Sequence, residues 1–517
     1  MTTKGFLGID AGTQGLAVVF TNEGLEVLAT GDGHYEMVAG LAEGCYEQNP
    51  ADWLAALRDA MADLRSKLSG EIEVLAIGIS GQMHGEVLCD KNGEPLGPAR
   101  LWCDSRNEKE ERELTEKLGV KMPKRITAAR WLWTVRNQPD KAKQVRHITT
   151  PAGWLAFKLT GQWNLGIGDA SGMFPVDQKT LAYDQSKLSK FESIVPESSV
   201  ASLQEMLPAI RKAGEDAGSL NEFGAETLAL TAGITVAAAE GDQPAALAGS
   251  LISDAGSVSV SFGTSVCANS VGDRAFAGVD SAIDHFCAVD GKPINMVFLR
   301  NGTTYMNSVI EMFGCAIEGD RAAAFSKIMP LVESASADCG GLLALPFVDD
   351  EPGLGVNRGG TAMLIGLNSE NATPGNSVKA ALVATMFNLK SGSEVLEQQE
   401  FPRNELVLTG GLTKTPELAQ VLADVFNTPV KLLESAEEGT AWGAALLAKF
   451  RHEKQQDATD VWAKFVLRER DALLKGQGRA MSREFMPKAD QVSIYAAMYA
   501  RYKKLLATQA TLQEAIE

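Results

Sequence analysis

The 517-residue chain is 45% hydrophobic and 22% charged, a globular composition with room for roughly two to four domains. Its formal net charge of −18 argues against sequence-independent binding to nucleic acid or to an anionic membrane surface, since both need a basic face. Seven scattered cysteines, odd in number and without a C-x-x-C pair, point away from a zinc ribbon or a disulfide framework and fit a reducing, cytoplasmic setting.

At the N-terminus one lysine precedes a short apolar strand with no signal-peptide h-region. No run of about 18 apolar residues follows, so no membrane helix is expected. Residues 5–20 predict strand, tight turn, strand. The turn Asp10-Ala11-Gly12-Thr13-Gln14-Gly15 holds one carboxylate, two glycines and a Thr-Gln pair. Glycines let backbone N–H groups approach a phosphate, and hydroxyl and amide side chains add donors. A carboxylate beside them suits a hydrated Mg²⁺. The same residues also suit an ordinary Gly turn, and no P-loop lysine is present.

Asn49 and Pro50 mark the start of a helix in which Trp53, Leu54, Leu57, Met61, Leu64 and Leu68 recur at helical spacing. Residues 74–80 predict a buried strand, and strand, helix, strand is an α/β order. Ser80-Gly81-Gln82-Met83-His84-Gly85 stands at that strand's carboxyl end, where open α/β sheets place ligands. His84 reads either as a ligand contact or as a hydrogen-bonded structural histidine. In Trp102-Cys103-Asp104-Ser105-Arg106, an aromatic face, a carboxylate and a guanidinium can grip a polyol. Alternatively, Asp104 caps a charged helix over 108–118. Residues 125–161 predict amphipathic helices with a Trp-rich core, and Asp169-Ala170-Ser171-Gly172 a loop. A strand of small residues then runs from 232 to Gly241 and meets Asp242 and Gln243 at the head of a helix. Asp242 can be an N-cap or a catalytic base.

After a boundary near 250–256 the opening pattern returns. Residues 257–271 predict strand, a Gly263-Thr264-Ser265 turn, and strand. Two such hairpins, each heading an α/β half, imply a duplication: residues 1–252 and 253–517, with the hairpins facing across a cleft and gripping one nucleoside triphosphate. Further on come a long helix over 379–399 and a buried strand running into Gly410-Gly411, a flat turn on which a purine can lie. A small-residue helix from Gly439 follows. The charged helical tail 451–517 is expected to pack on the second half.

The ordered set Ile9-Asp10-Ala11-Gly12-Thr13-Gln14, Gly81-Gln82-Met83-His84-Gly85, Leu101-Trp102-x-Asp104-x-Arg106, Asp169-Ala170-Ser171-Gly172, Gly241-Asp242, Ser261-Phe262-Gly263-Thr264-Ser265 and Thr409-Gly410-Gly411-Leu412 resembles the FGGY carbohydrate kinases of the actin-like ATPase superfamily. The resemblance covers most of residues 4–450, and the elements at 81–106 are most similar to the xylulokinase branch. It implies an α/β protein of two actin-like ATPase (ribonuclease-H-like) domains with an interdomain cleft, and transfer of the ATP γ-phosphoryl group to a terminal sugar hydroxyl. It further implies Asp242 as general base and Asp10 as the holder of Mg²⁺ through water. Gly12, Thr13, Gln14, Gly263, Thr264 and Ser265 would contact phosphates, and Gly410 and Gly411 would line the adenosine site. Met83, His84, Trp102, Asp104, Arg106 and Gln243 would contact the sugar. Two departures bear on the sugar. Glu240-Gly241-Asp242-Gln243-Pro244 stands where xylulokinases usually have Gly-Gly-Gly-Asp-Asn-Ala, and Cys103 and Ser105 replace two amides. D-xylulose is the first expectation. Another ketopentose, a polyol or a sugar acid is the alternative, as is an actin-like ATPase or sugar sensor that transfers no phosphate. A small sugar is the expected partner, with no nucleic acid and no membrane; a homodimer is left open.

Overall fold

The computed structural model describes residues 2–196, 200–315, 321–410, 415, 417–432, 439–475 and 483–515. The opening residues form the expected hairpin. β1 (Thr3–Ala11) and β2 (Gly15–Asn22) pair antiparallel from Gly5↔Asn22 to Ala11↔Leu16, and β3 (Val27–His34) extends the ladder. α1 (Pro50–Lys67) begins after Asn49 with proline in its first turn and buries Trp53, Leu57, Met61 and Leu64. β4 (Ile72–Gly81) returns parallel to β1.

The rest of the first half includes α2 (Thr127–Asn137), α3 (Ile167–Met173), the fragments β5 (Thr235–Val236) and β6 (Glu240–Gly241), and α4 (Asp242–Gly249). Two expectations change here. Residues 169–172 are helical rather than a loop, because the Glu240 carboxylate accepts the N–H groups of Gly168 and Asp169 in the first turn of α3. The small-residue strand over 232–241 is reduced to β5 and β6, both parallel to β4, because the Ala239 carbonyl leaves the ladder to accept Gly166 N–H.

The second half repeats the first. β7 (Ser257–Phe262), β8 (Val266–Val271), β9 (Ile283–Cys287), β10 (Pro293–Leu299), β11 (Glu405–Gly410), β12 (Val430–Leu432) and β13 (Arg483–Phe485) form one sheet in the order β9-β10-β8-β7-β11-β12-β13. Within it β10-β8-β7-β11-β12 matches β3-β2-β1-β4-β5: antiparallel, antiparallel, parallel, parallel. The duplication suggested by two Gly-Thr turns therefore extends through both sheets. α5 (Pro374–Gln398) starts earlier than the expected 379, with Thr373 as a side-chain N-cap and proline in the first turn.

The C-terminal helices do not all stay with the second half. α6 (Gly439–Gln456) and α7 (Trp462–Lys475) share a core with Phe6, Leu25 and Ala76 of the first half. Alternation along β1 sends Phe6 and Gly8 toward α6 and Leu7 and Ile9 toward the α1 side. Glycines let the backbones touch: a Cβ on Gly8 would lie 1.9 Å from the Ala441 carbonyl oxygen, and one on Gly78 would lie 1.8 Å from that of Ala444. α8 (Ala489–Leu506) carries the tail into the second half's core, through Tyr495, Tyr499 and Tyr502. Gly78→Ala should thus destabilise the fold by about 3 kcal/mol, since a backbone carbonyl cannot yield as a side chain can. An unchanged urea midpoint would show that α6 is not seated on β4.

Candidate active site

Both hairpin turns are braced from behind. Tyr35 Oη donates to the carbonyls of Gly12 and of Gly15, the latter at 2.9 Å. In the second turn, Thr303 donates through N–H and Oγ1 to the Gly263 carbonyl at 2.8 and 2.9 Å, and Gly302 N–H donates to Thr264 O at 2.9 Å. The braces occupy carbonyls. Among the described residues none accepts from the N–H groups of Gly12, Thr13 or Gln14, an arrangement that suits a polyanion. Gly263 and Thr264 are exposed at the second tip. Gly410, at the end of β11, is paired with Phe262 beside that tip. Gly411 lies outside the described residues.

Asp10, next to last in β1, has both carboxylate oxygens engaged: Oδ1 accepts from Ser80 Oγ at 2.7 Å and Oδ2 from Thr440 Oγ1 at 2.6 Å. Burial raises its pKa despite those bonds. Asp242 is the first residue of α4, whose N-cap position is Gly241, so the carboxylate is not an N-cap; it accepts the N–H of its neighbour Gln243 at 2.8 Å. Burial, and then the charge of Asp10, push Asp242 up to about 7, against hydrogen bonds from the backbone of Gln243 and Met83. A carboxylate whose charge raises the pKa of its neighbour Asp242, and which has only hydroxyl partners of its own, fits a hydrated Mg²⁺ that keeps its waters and takes phosphate oxygens. Asp10 is the residue that could hold it. Behind Asp242, burial pushes Asp169 and Glu240 each up to about 8.

His84 has a left-handed backbone, φ +66°, and is 4% exposed. Its Nδ1 lies 2.9 Å from the Gly172 carbonyl, which can only accept, so Nδ1 carries the hydrogen and Nε2 is left as an acceptor. Burial pushes its pKa down to about 3, and the nearby Arg125 charge adds to the drop, so the imidazole is neutral. Trp102 is the one exposed tryptophan among the described residues, at 39%. Its indole N–H donates to Thr13 Oγ1 at 3.0 Å, and that hydroxyl donates to Gln82 Oε1 at 3.4 Å. The Thr13 side chain therefore ties the hairpin to the 82–102 segment rather than pointing freely at a phosphate. Gln48 completes the tie by donating to the Thr13 carbonyl at 2.8 Å and accepting from Gln82 at 2.9 Å.

One cavity of about 560 Å³ joins these parts, lined by Met83, His84, Trp102, Asp242 and Gln243 from the first half and Gly263, Ser265 and Phe286 from the second. Asp104 and Arg106 do not line it. Asp104 is fully buried and accepts from Tyr46 N–H and from Arg106, which also reaches Glu47 at 2.5 Å. They fix the loop behind Trp102, and the helix Glu108–Leu118 has Asn107, not Asp104, at its N-cap. Ser105 Oγ donates away from the cavity, to Gly44 O at 3.2 Å. Sequence reasoning missed Arg125, which lines the cavity, and Arg130, which is fully buried and donates to the carbonyls of His84 (3.2 Å) and Trp102 (2.7 Å). The available signal was an arginine inside an otherwise apolar helical stretch, Ala128-Ala129-Arg130-Trp131.

Two family models match the chain in sequence order: the N-terminal domain of the FGGY family of carbohydrate kinases over residues 6–249, and its C-terminal domain over 258–451. The chain belongs to the FGGY family of carbohydrate kinases. It is an ATP-dependent carbohydrate kinase. The xylulose kinase of Haemophilus influenzae is 29% identical over 461 residues, 86% of this chain and 90% of that protein. The structure of xylulose kinase from Rhodospirillum rubrum matches the kinase with a TM-score of 0.81 at 19% identity, covering 98% and 99% of the two chains. That of gluconate kinase from Lactobacillus acidophilus matches with 0.79 at 18% identity, covering 99% and 100%. These structural likenesses establish the two-domain actin-like fold. Among the described residues no helix is long and apolar enough to cross a membrane. Trp102 is the exposed tryptophan of the cavity and Trp442 the buried one, so a sugar entering it should change the kinase's tryptophan fluorescence, and Trp102→Phe should remove much of that change. A full response in the variant would place the sugar elsewhere.

Proposed function

We propose that the kinase phosphorylates a terminal hydroxyl of a small ketose, D-xylulose first, with Asp242 as the base. The observation that carries this is the position of Asp242: in one cavity with His84 and Trp102 on one side and the second Gly-Thr turn on the other. The choice of xylulose leans on the curated relatives named xylulose kinase at 25–29% identity. The similar fold named gluconate kinase keeps a sugar acid as the second reading.

In the proposed reaction the hydroxyl donates to the Asp242 carboxylate. As its oxygen bonds to the γ-phosphorus and the bond to the leaving ADP oxygen breaks, the proton passes to Asp242. The transition state is loose, so position matters more than base strength. His84 Nε2 and Gln243 would orient other sugar hydroxyls, Arg125 would donate to one, and Trp102 would cover the carbon skeleton. The free N–H groups of Gly12, Thr13 and Gln14, with the Gly263-Thr264-Ser265 turn, would hold the phosphates, and Gly410-Gly411 would flank the adenosine. Mg²⁺, held through water by Asp10, would neutralise charge on the β- and γ-phosphates. In this reading the halves 1–252 and 253–517 close as two jaws, with α6 and α7 travelling with the first.

Sugar-dependent ADP release across a panel of ketoses, polyols and sugar acids tests the assignment; release with none of them sinks it. Asp242→Asn should lower kcat by about 10² or more while the Trp102 fluorescence response persists. Because Asp242 works ionised and its pKa is pushed up to about 7, kcat/KM should fall about tenfold per pH unit below that value. A flat profile between about pH 5 and 8 would remove Asp242 from the proton transfer.

A further inference from the structure

The sugar end of the cavity has a wall that crosses between the two halves. Arg125, in the loop before α2, lines the cavity, and its guanidinium is ion-paired with Asp284 on β9 of the second half. Lys121 reaches the same carboxylate at 2.8 Å and the Ser281 carbonyl at 2.5 Å. Asp284 is 3% exposed. Burial alone would raise its pKa, but the Arg125 and Lys121 charges hold it well below the usual carboxylate range. The rings of Phe286 and Phe298 each lie 5.7 Å from the Arg125 guanidinium carbon. Among the described residues that line the cavity, Arg125 is the only cation and Asp242 the only carboxylate.

This arrangement limits what an incoming sugar can offer. A sugar acid leaving water needs a counter-ion, and a bidentate arginine is the side chain suited to supply it. Arg125 already has its carboxylate. A second one would compete with Asp284 for the guanidinium while standing in the same cavity as the Asp242 carboxylate. A hydroxyl asks for a single N–H, and a guanidinium has five.

We propose that Asp284 is a specificity-determining residue of the sugar pocket: from the second half it fixes Arg125 and engages its guanidinium, so that the pocket takes uncharged ketoses and polyols in preference to sugar acids. Asp284 acts through Arg125 and is a positioning residue. The inference rests on the reading of this cavity as the sugar site. It also gives the second half a part in sugar recognition, because the pair exists only when β9 lies against the 121–125 loop.

The test is direct binding of three matched five-carbon ligands, D-xylulose, xylitol and xylonate, followed by tryptophan fluorescence in the full-length kinase. The wild-type protein should bind the two neutral ligands at least about tenfold more tightly than xylonate. Asp284→Asn should weaken xylulose binding about tenfold and should close or reverse the gap to xylonate. Asp284→Glu should keep the wild-type order, which a purely structural role for the carboxylate would not require of ligand charge. Wild-type binding of xylonate as tight as that of xylitol overturns the proposal, as does a folded Asp284→Asn variant with the order unchanged. If Asp284→Asn fails to fold, the wild-type and Asp284→Glu comparisons still decide. Binding of none of the three overturns the sugar-site reading itself, whereas tight xylonate binding with intact sugar-dependent ADP release overturns only the role of Asp284.

Discussion

Arg130 is fully buried on α2, and its guanidinium donates to the carbonyls of His84, Trp102 and Arg125. Those three residues come from separate loops, and each lines the cavity. A planar fork of donors can serve three carbonyls at once, which the point charge of a lysine does less well. Burial, and then the charge of Arg100, pull its pKa down to about 9, with Glu86 and Asp104 opposing the fall. The group therefore stays protonated near neutral pH, and its charge is spread over carbonyl dipoles. Removing it would leave the Arg125 and Trp102 carbonyls without this donor and the His84 carbonyl with Thr127 alone, a loss of about 1–3 kcal/mol for each acceptor left unpaired. The left-handed backbone of His84, a strain few non-glycine residues carry, persists because Arg130 and Thr127 both hold its carbonyl.

The phosphate side follows the same rule with a different cast. Tyr35 holds the first turn by its carbonyls, and Thr303 with Gly302 holds the second. In the first turn, with the carbonyls taken up, the N–H groups of Gly12, Thr13 and Gln14 have no acceptor among the described residues. Asp10 is fixed in turn by Thr440, from the first turn of α6. Because α6 lies backbone to backbone on Gly8 and Gly78, the position of Asp10 depends on a helix encoded some 430 residues later. The third core, built from both ends of the chain, is thus part of the site's support.

The hairpins, the duplication and the place of Asp242 at a strand-to-helix junction were legible in the sequence because each is a local pattern: alternation, a Gly-Thr turn, a lone carboxylate after a run of small residues. What was not legible depends on distant partners. Asp169-Ala170-Ser171-Gly172 has turn chemistry, yet it is helical because Glu240 caps it from far along the chain. Gly166 and Gly168 make room for that carboxylate, since a Cβ on either would meet it at 2.2 or 2.6 Å. The departure Glu240 and these two glycines are therefore one packing unit. Asp104 and Arg106 belong to the motif, but five residues of sequence do not say which side faces the cavity; the pair with Glu47 turns them inward. A small-residue helix such as α6 reads the same whichever sheet it covers.

Asp169 and Glu240 are buried and Asp10 and Asp242 half-buried, and each of the four carboxylates is raised above its ordinary value chiefly by desolvation. An acid whose folded pKa exceeds its unfolded one keeps its proton longer in the fold. It costs nothing below the unfolded value, and stability is lost as pH climbs through the window between the two. For Asp169, Asp242 and Glu240 that window runs from the ordinary carboxylate range near 4 up to about 7 or 8. The fold carries this penalty at neutral pH, in part offset by Thr150 on Asp169 and by the N–H groups of Gly168 and Asp169 on Glu240. The penalty is concentrated at one cavity wall, where Asp242 is brought close to half-ionised near pH 7. The same burial that weakens the fold keeps water from a transferred phosphoryl group and sets a proton acceptor beside the place where a hydroxyl must lose its proton.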